Sequence, residues 1–94
     1  MTFDEAREIV AREDGPTWPG PGTFYVHTEG REDDTRYLVP AGAYEDLVEH
    51  RLEFLNMEPV ARFVDKQTGI LTHEPLTPQL DDIAAMREVT SDAR

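Results

Sequence analysis

The segment from Val60 to His73 most restricts what this chain can fold into. Val60 to Val64 reads as a strand, Asp65 to Gly69 as a turn, and Ile70 to His73 as the returning strand. Gly69 supplies the positive φ that a tight connection needs. Asp65 and Thr68 are placed to accept from nearby backbone donors. An antiparallel hairpin of this kind needs further strands and a covering helix to bury its apolar face.

The remaining segments supply both. Thr2 and Glu5 fit a capping box, and Phe3, Ala6, Ile9 and Val10 follow at helical spacing. Asp4, Glu5 and Glu8 suit the positive end of that helix. Gly15-Pro16 ends it, and residues 15–22, with three Pro and three Gly, form a loop from which Trp18 packs back onto the domain. Thr23 to Thr28 is a first strand, Gly30 to Asp34 a polar loop and Arg36 to Val39 a second strand, pairing as a hairpin. Residues 43–55 suit a short helix through Tyr44, Leu47, Val48, Leu52 and Leu55. After Pro75, Thr77 is the expected N-cap of a last helix with Pro78, Asp81 and Asp82 in its first turn. From Arg87 the chain is weakly patterned and is expected to fray. The expectation is one α+β domain over residues 1–94: an N-terminal helix on a four-stranded antiparallel sheet, with short additional helices. Phe24, Val26, Tyr37, Val39, Phe63 and Ile70 are the sheet's expected core residues.

Composition excludes several functions. Twenty acidic residues against nine basic give a net charge of −11, which argues against nucleic acid and anionic membranes as partners. There is no cysteine, hence no disulfide, thiolate nucleophile or cysteine-bound zinc. The start Met1-Thr2-Phe3-Asp4-Glu5 lacks the basic and apolar regions of a signal peptide, and no apolar run is long enough to span a bilayer. A cytoplasmic protein is expected.

Chemistry is sparsely signalled. No nucleophile elbow, phosphate loop or dinucleotide-binding glycine motif occurs. His27, His50 and His73 lack metal-helix spacing, although His27 and His73 can meet if their strands are neighbours. Asp33-Asp34 lacks an EF-hand-type loop, and Asp81-Asp82 suits a helix start. The reading is therefore a non-enzymatic domain with no cofactor and no metal. The charge excess is concentrated in residues 1–34, where nine acids face three bases. Glu29, Glu32, Asp33 and Asp34 stand together around one loop and are the candidate contacts for a basic partner.

A family resemblance enters at Val64-Asp65-Lys66-Gln67-Thr68-Gly69-Ile70. It is reinforced by Phe3-Asp4-Glu5-Ala6 with Ile9-Val10, and by Tyr37-Leu38-Val39-Pro40-Ala41-Gly42-Ala43. Together these resemble the small bacterial proteins of the YrhB or immunity protein 35 family, in which a helix precedes a sheet and a late hairpin follows a proline-led strand, here led by Pro59. The chain departs from that pattern at Asp46, where the family often has tryptophan, and at Ile70, where it often has an acid. The resemblance implies an immunity protein that binds and blocks a cognate toxin, with no catalytic residues to carry over. Acidity suits a basic toxin. The chain is expected to be a monomer or homodimer, and two alternatives stay open: a structural or regulatory module that homodimerises through an edge strand, and a hydrolase or metal-binding enzyme using His27, His73 and nearby acids.

Overall fold

A computed structural model describes residues 1–18, 22–51 and 60–91. Helix α1 (Phe3–Asp14) begins at the capping box: the Thr2 hydroxyl accepts from the Glu5 amide at 3.1 Å, and the Thr2 amide donates to Glu5 Oε1 at 3.0 Å. Phe3, Ala6 and Val10 form its buried stripe. Gly15–Thr17 then tightens into a 3₁₀ turn, and the Trp18 ring packs 5.3 Å from that of Phe24.

The strands are β1 (Phe24–Val26), β2 (Glu29–Glu32), β3 (Arg36–Leu38), β4 (Ala41–Ala43), β5 (Val60–Asp65), β6 (Leu71–Pro75) and β7 (Arg87–Thr90). Helix α2 (Tyr44–Leu47) follows β4. A 3₁₀ turn (Thr77–Gln79) leads into α3 (Leu80–Ala85). All pairings are antiparallel, so the fold is α+β with an N-terminal helix, as expected. The strand count differs. A five-stranded sheet runs β6-β5-β3-β2-β7, and β1 pairs with β4 in a separate two-stranded ribbon.

Two corrections produce that difference. Residues 29–32 are a strand, although their composition suggests a loop. β2 pairs with β3 on one side and with β7 on the other, and these long-range ladders outweigh a polar Glu-Gly-Arg-Glu sequence. The expected hairpin between the first two strands is therefore replaced by a β2–β3 hairpin. Asp33 closes it by accepting from the Thr35 amide at 2.8 Å, the Thr35 hydroxyl at 3.0 Å and the Arg36 amide at 2.9 Å. Likewise residues 87–90 do not fray. They form edge strand β7, and the Ser91 amide continues the pairing to the Thr28 carbonyl at 2.7 Å.

The β5–β6 hairpin has the turn its sequence suggests. Asp65 Oδ1 accepts from the Gln67 and Thr68 amides, Thr68 Oγ1 accepts from the Ile70 amide, and Gly69 has φ +73°. Ile70 is 60% exposed, against expectation. It precedes β6, so Leu71, and not Ile70, turns toward α1. Within the described residues the helix expected over residues 43–55 is α2, and its Leu52 and Leu55 lie outside the described residues. Thr77 opens the 3₁₀ turn and makes no side-chain cap.

The sheet is covered on both faces. Phe3, Ala6 and Val10 meet Val26, Tyr37, Val39 and Val64 on one; Met86, Leu76 and Ile83 cover Leu38, Ala61 and Phe63 on the other. This explains why β5 is buried along Ala61–Val64 without alternation. Arg7 joins the first layer to the sheet. It donates to the His27 carbonyl at 2.9 Å, the Val26 carbonyl at 3.1 Å and Ser91 Oγ at 3.2 Å.

Candidate functional site

The four acids singled out from the sequence do not form one patch. Glu32 is held inside the first layer by Lys66 Nζ at 2.8 Å, with Arg87 at 3.7 Å. The Lys66 hydrogen bond, above all, keeps its carboxyl below the ordinary glutamate range. Asp33 is consumed by the turn. Burial pushes its pKa up, but the amides and side chains of Thr35 and Arg36 outweigh that and hold it low. Asp34 projects into solvent beside Arg87 at 3.4 Å. Glu29 is exposed at the start of β2, and its carboxylate has no hydrogen bond or ion pair among the described residues.

The histidines do not converge either. His27 Nδ1 accepts from the Glu29 amide at 3.0 Å, which leaves Nε2 to carry the proton. His73 lies on β6, where its Nε2 sits 2.8–2.9 Å from both oxygens of Asp14. That carboxylate, at the end of α1, also accepts from Arg62 Nε at 2.6 Å. Arg62 is buried, donates to the Ala41 carbonyl at 3.1 Å and lies 5.8 Å from the Phe24 ring. The cluster ties α1 to β5 and β6. Nearly all of the Arg62–Asp14 pair is out of solvent, so its role is architectural. Among the described residues no group of three His, Asp or Glu is placed to hold a metal ion.

The second face of the sheet carries a more accessible feature. Beside α3 lies a groove of about 340 Å³ lined by His27, Glu29, Arg31, Leu38, Pro40 and Glu88, among others. Glu29, Arg31 and Glu88 reach it because they alternate along β2 and β7 onto one face. Arg31 forms its inner wall: the guanidinium donates to the Met86 carbonyl at 3.1 Å and the Ile83 carbonyl at 3.4 Å, with Glu88 at 3.8 Å. An aromatic row runs up to this groove. The rings of Tyr44 and Tyr25 are 5.2 Å apart edge-on, and Tyr25 and His27 are 6.1 Å apart edge-on. Sequence reasoning passed over Glu88 because it fell in the supposedly frayed tail. Tyr25 was legible as the outward partner of Phe24 and Val26 in a strand.

Charge bookkeeping completes the picture. Each described Arg, and Lys66, lies within 4 Å of a carboxylate: Arg7 of Asp4, Arg12 of Glu13, Arg31 of Glu88, Arg36 of Asp33 and Glu74, Arg51 of Glu49, Arg62 of Asp14, Lys66 of Glu32, Arg87 of Glu32 and Asp34. In contrast, the carboxylates of Glu8, Glu29, Asp46, Asp81 and Asp82 have no such partner among the described residues.

The fold and this surface define an acidic α+β domain with a grooved sheet face. No family model, curated protein or solved structure matches the chain. No described helix is long and apolar enough to cross a membrane.

Proposed function

We propose that this domain is a non-enzymatic binder of a basic protein, in the manner of an immunity protein that neutralises a cognate toxin inside the producing cell's cytoplasm. The observation that carries the reading is the distribution of charge. Every described Arg and Lys66 has a carboxylate of the same chain within 4 Å, so the charge left without an ion pair among the described residues is mainly negative. A surface of that kind steers a basic partner over roughly a Debye length and speeds association about 10–10³-fold at low salt. The likeness to the YrhB or immunity protein 35 family supports the toxin-neutralising role specifically.

The test is rescue. The full chain is co-expressed with the toxin-like product of a neighbouring gene, and restored growth is the expected result. The purified pair should associate at least about tenfold more slowly as salt rises from low to 0.5 M. Absence of rescue, together with no salt-sensitive binding to any basic protein, defeats the reading. The rival reading, a homodimer through an edge strand, has the outer strands β6 and β7 to use. Pro75 and the Arg87-Glu88 pair at those edges oppose it. Sedimentation of the free chain as a monomer at high concentration removes it.

A further inference from the structure

We infer that the aromatic row Tyr44–Tyr25–His27, together with the groove it meets between Glu29 and Glu88, is the docking surface for an arginine-bearing extended segment of the partner. This rests on the basic-partner reading and adds where the partner sits and which side chain it presents.

Two independent features of this face point to the same chemistry. The first is the rings. The rings of Tyr44, Tyr25 and His27 follow one another edge-on, so none is stacked face to face on the next. The hydroxyls of Tyr25 and Tyr44 make no hydrogen bond to a described residue. Tyr44 is 39% exposed. An accessible tyrosine face carries the negative side of the ring quadrupole and attracts a cation. Tyrosine is also among the residues that dominate interface energetics, because it brings a large apolar area with few rotatable bonds.

The second feature is the groove. It is apolar along Leu38 and Pro40 and acidic at Glu29 and Glu88. The aliphatic stem of a long cationic side chain matches the apolar part, and its head matches the carboxylates. Arg31 does not fill this role. Its guanidinium is anchored to the Ile83 and Met86 carbonyls; its ion pair with Glu88, at 3.8 Å, leaves that carboxylate 85% exposed, and Glu29 has no ion pair among the described residues. His27 is held with Nδ1 as an acceptor, so its Nε2 offers a donor at the groove. Arginine fits better than lysine because its planar guanidinium stacks on rings and pairs with carboxylates through a rigid fork.

The experiment uses the full chain and a capped Gly-Arg-Gly-Arg-Gly peptide, with lysine and citrulline versions as controls. Binding is read by calorimetry and by amide shifts. The arginine peptide should bind and shift residues of β1, β2 and β7, and the uncharged citrulline peptide should not. Glu29→Gln with Glu88→Gln should weaken binding at least about tenfold, and Tyr25→Leu by about fivefold or more. Asp81→Asn with Asp82→Asn, which removes two acids elsewhere that have no ion pair among the described residues, should change it less than about twofold. If the α3 pair matters as much as the groove pair, or if citrulline binds equally, the docking surface is wrong while the basic-partner reading stands. If neither arginine nor lysine peptides nor basic proteins bind at low salt, the basic-partner reading fails with it.

Discussion

Replacing Gly30 by alanine tests the sheet order directly. A Cβ on Gly30 would stand 2.3 Å from the Leu38 carbonyl oxygen and 2.8 Å from two atoms of the Phe3 ring. The ring can swing, but the carbonyl belongs to β3 and would have to retreat by about 0.7 Å, pulling on the β2–β3 and β3–β5 ladders. Overpacking a well-filled site costs typically about 1–3 kcal/mol. Obstruction by backbone puts this case at the upper end, about 3 kcal/mol. For a chain of this size that is roughly 12–24 °C in Tm, and a large share of a small domain's stability. The assay is urea unfolding with three internal comparisons. Gly42→Ala meets only Leu47 side-chain atoms at 3.7 Å and beyond, and Gly15→Ala only the Phe24 ring at 3.6 Å, in a helical conformation. Both should stay within about 1 kcal/mol of the parent. Gly69→Ala, forced to keep φ +73°, should cost about 1–2 kcal/mol. If Gly30→Ala unfolds at the same midpoint as Gly42→Ala, then Phe3 and β3 do not pack across Gly30 and the position of β2 between β3 and β7 is refuted.

Other outcomes follow from the same contacts. Asp14→Ala should destabilise by about 3 kcal/mol, because it strands Arg62 in a buried site. Adding Arg62→Met should recover part of that loss, and additive costs in urea titrations would show that the two side chains are not coupled. Stability should also fall in acid. Glu32, Asp33 and Asp65 are held below their ordinary values when folded, Asp65 first by the Thr68 amide and then by that of Gln67. Their contribution is therefore complete above about pH 5 and is lost as pH falls through their folded values. Asp33→Asn with Asp65→Asn should flatten the acid limb of a stability–pH curve, and an unchanged slope contradicts the assignment. Finally, amide exchange in Arg87–Thr90 should be slowed together with that of Glu29–Glu32, since the two strands open as one unit. Exchange at unprotected rates would mean that β7 is frayed.

What was legible in the sequence was what local chemistry specifies. The Thr2–Glu5 box, the Phe3-Ala6-Val10 stripe and the Asp65–Gly69 turn each lie within a few residues, so spacing alone reveals them. β2 and β7 have no such signature. Glu29-Gly30-Arg31-Glu32 and Arg87-Glu88-Val89-Thr90 are strands because each supplies the other's ladder, with β3 beyond. Nothing in either segment read singly says so. The candidate site inherited this blindness. Because residues 29–32 are a strand, period-two alternation turns Glu32 toward Lys66 and leaves Glu29 on the opposite face, exposed beside Glu88.

The same alternation gives the charge of the chain its meaning. A net of −11 could arise from a uniformly acidic surface. Here the cations are spent where structure requires them. Arg7 fastens α1 to the bend after β1, Arg31 fastens α3 to β2, and Arg62 fastens β5 to the end of α1 and to β4. Each such cation takes a structural acid or a carbonyl out of play. The carboxylates of Glu8, Glu29, Asp46, Asp81 and Asp82 can then be approached without breaking an ion pair to a described residue. Association driven by those groups costs no reorganisation of the framework, which is the condition under which electrostatic steering is fully expressed in the on-rate. Removing a framework cation should therefore lower stability, whereas neutralising Glu29 should leave stability nearly unchanged and, on the proposed basic-partner reading, act on binding alone.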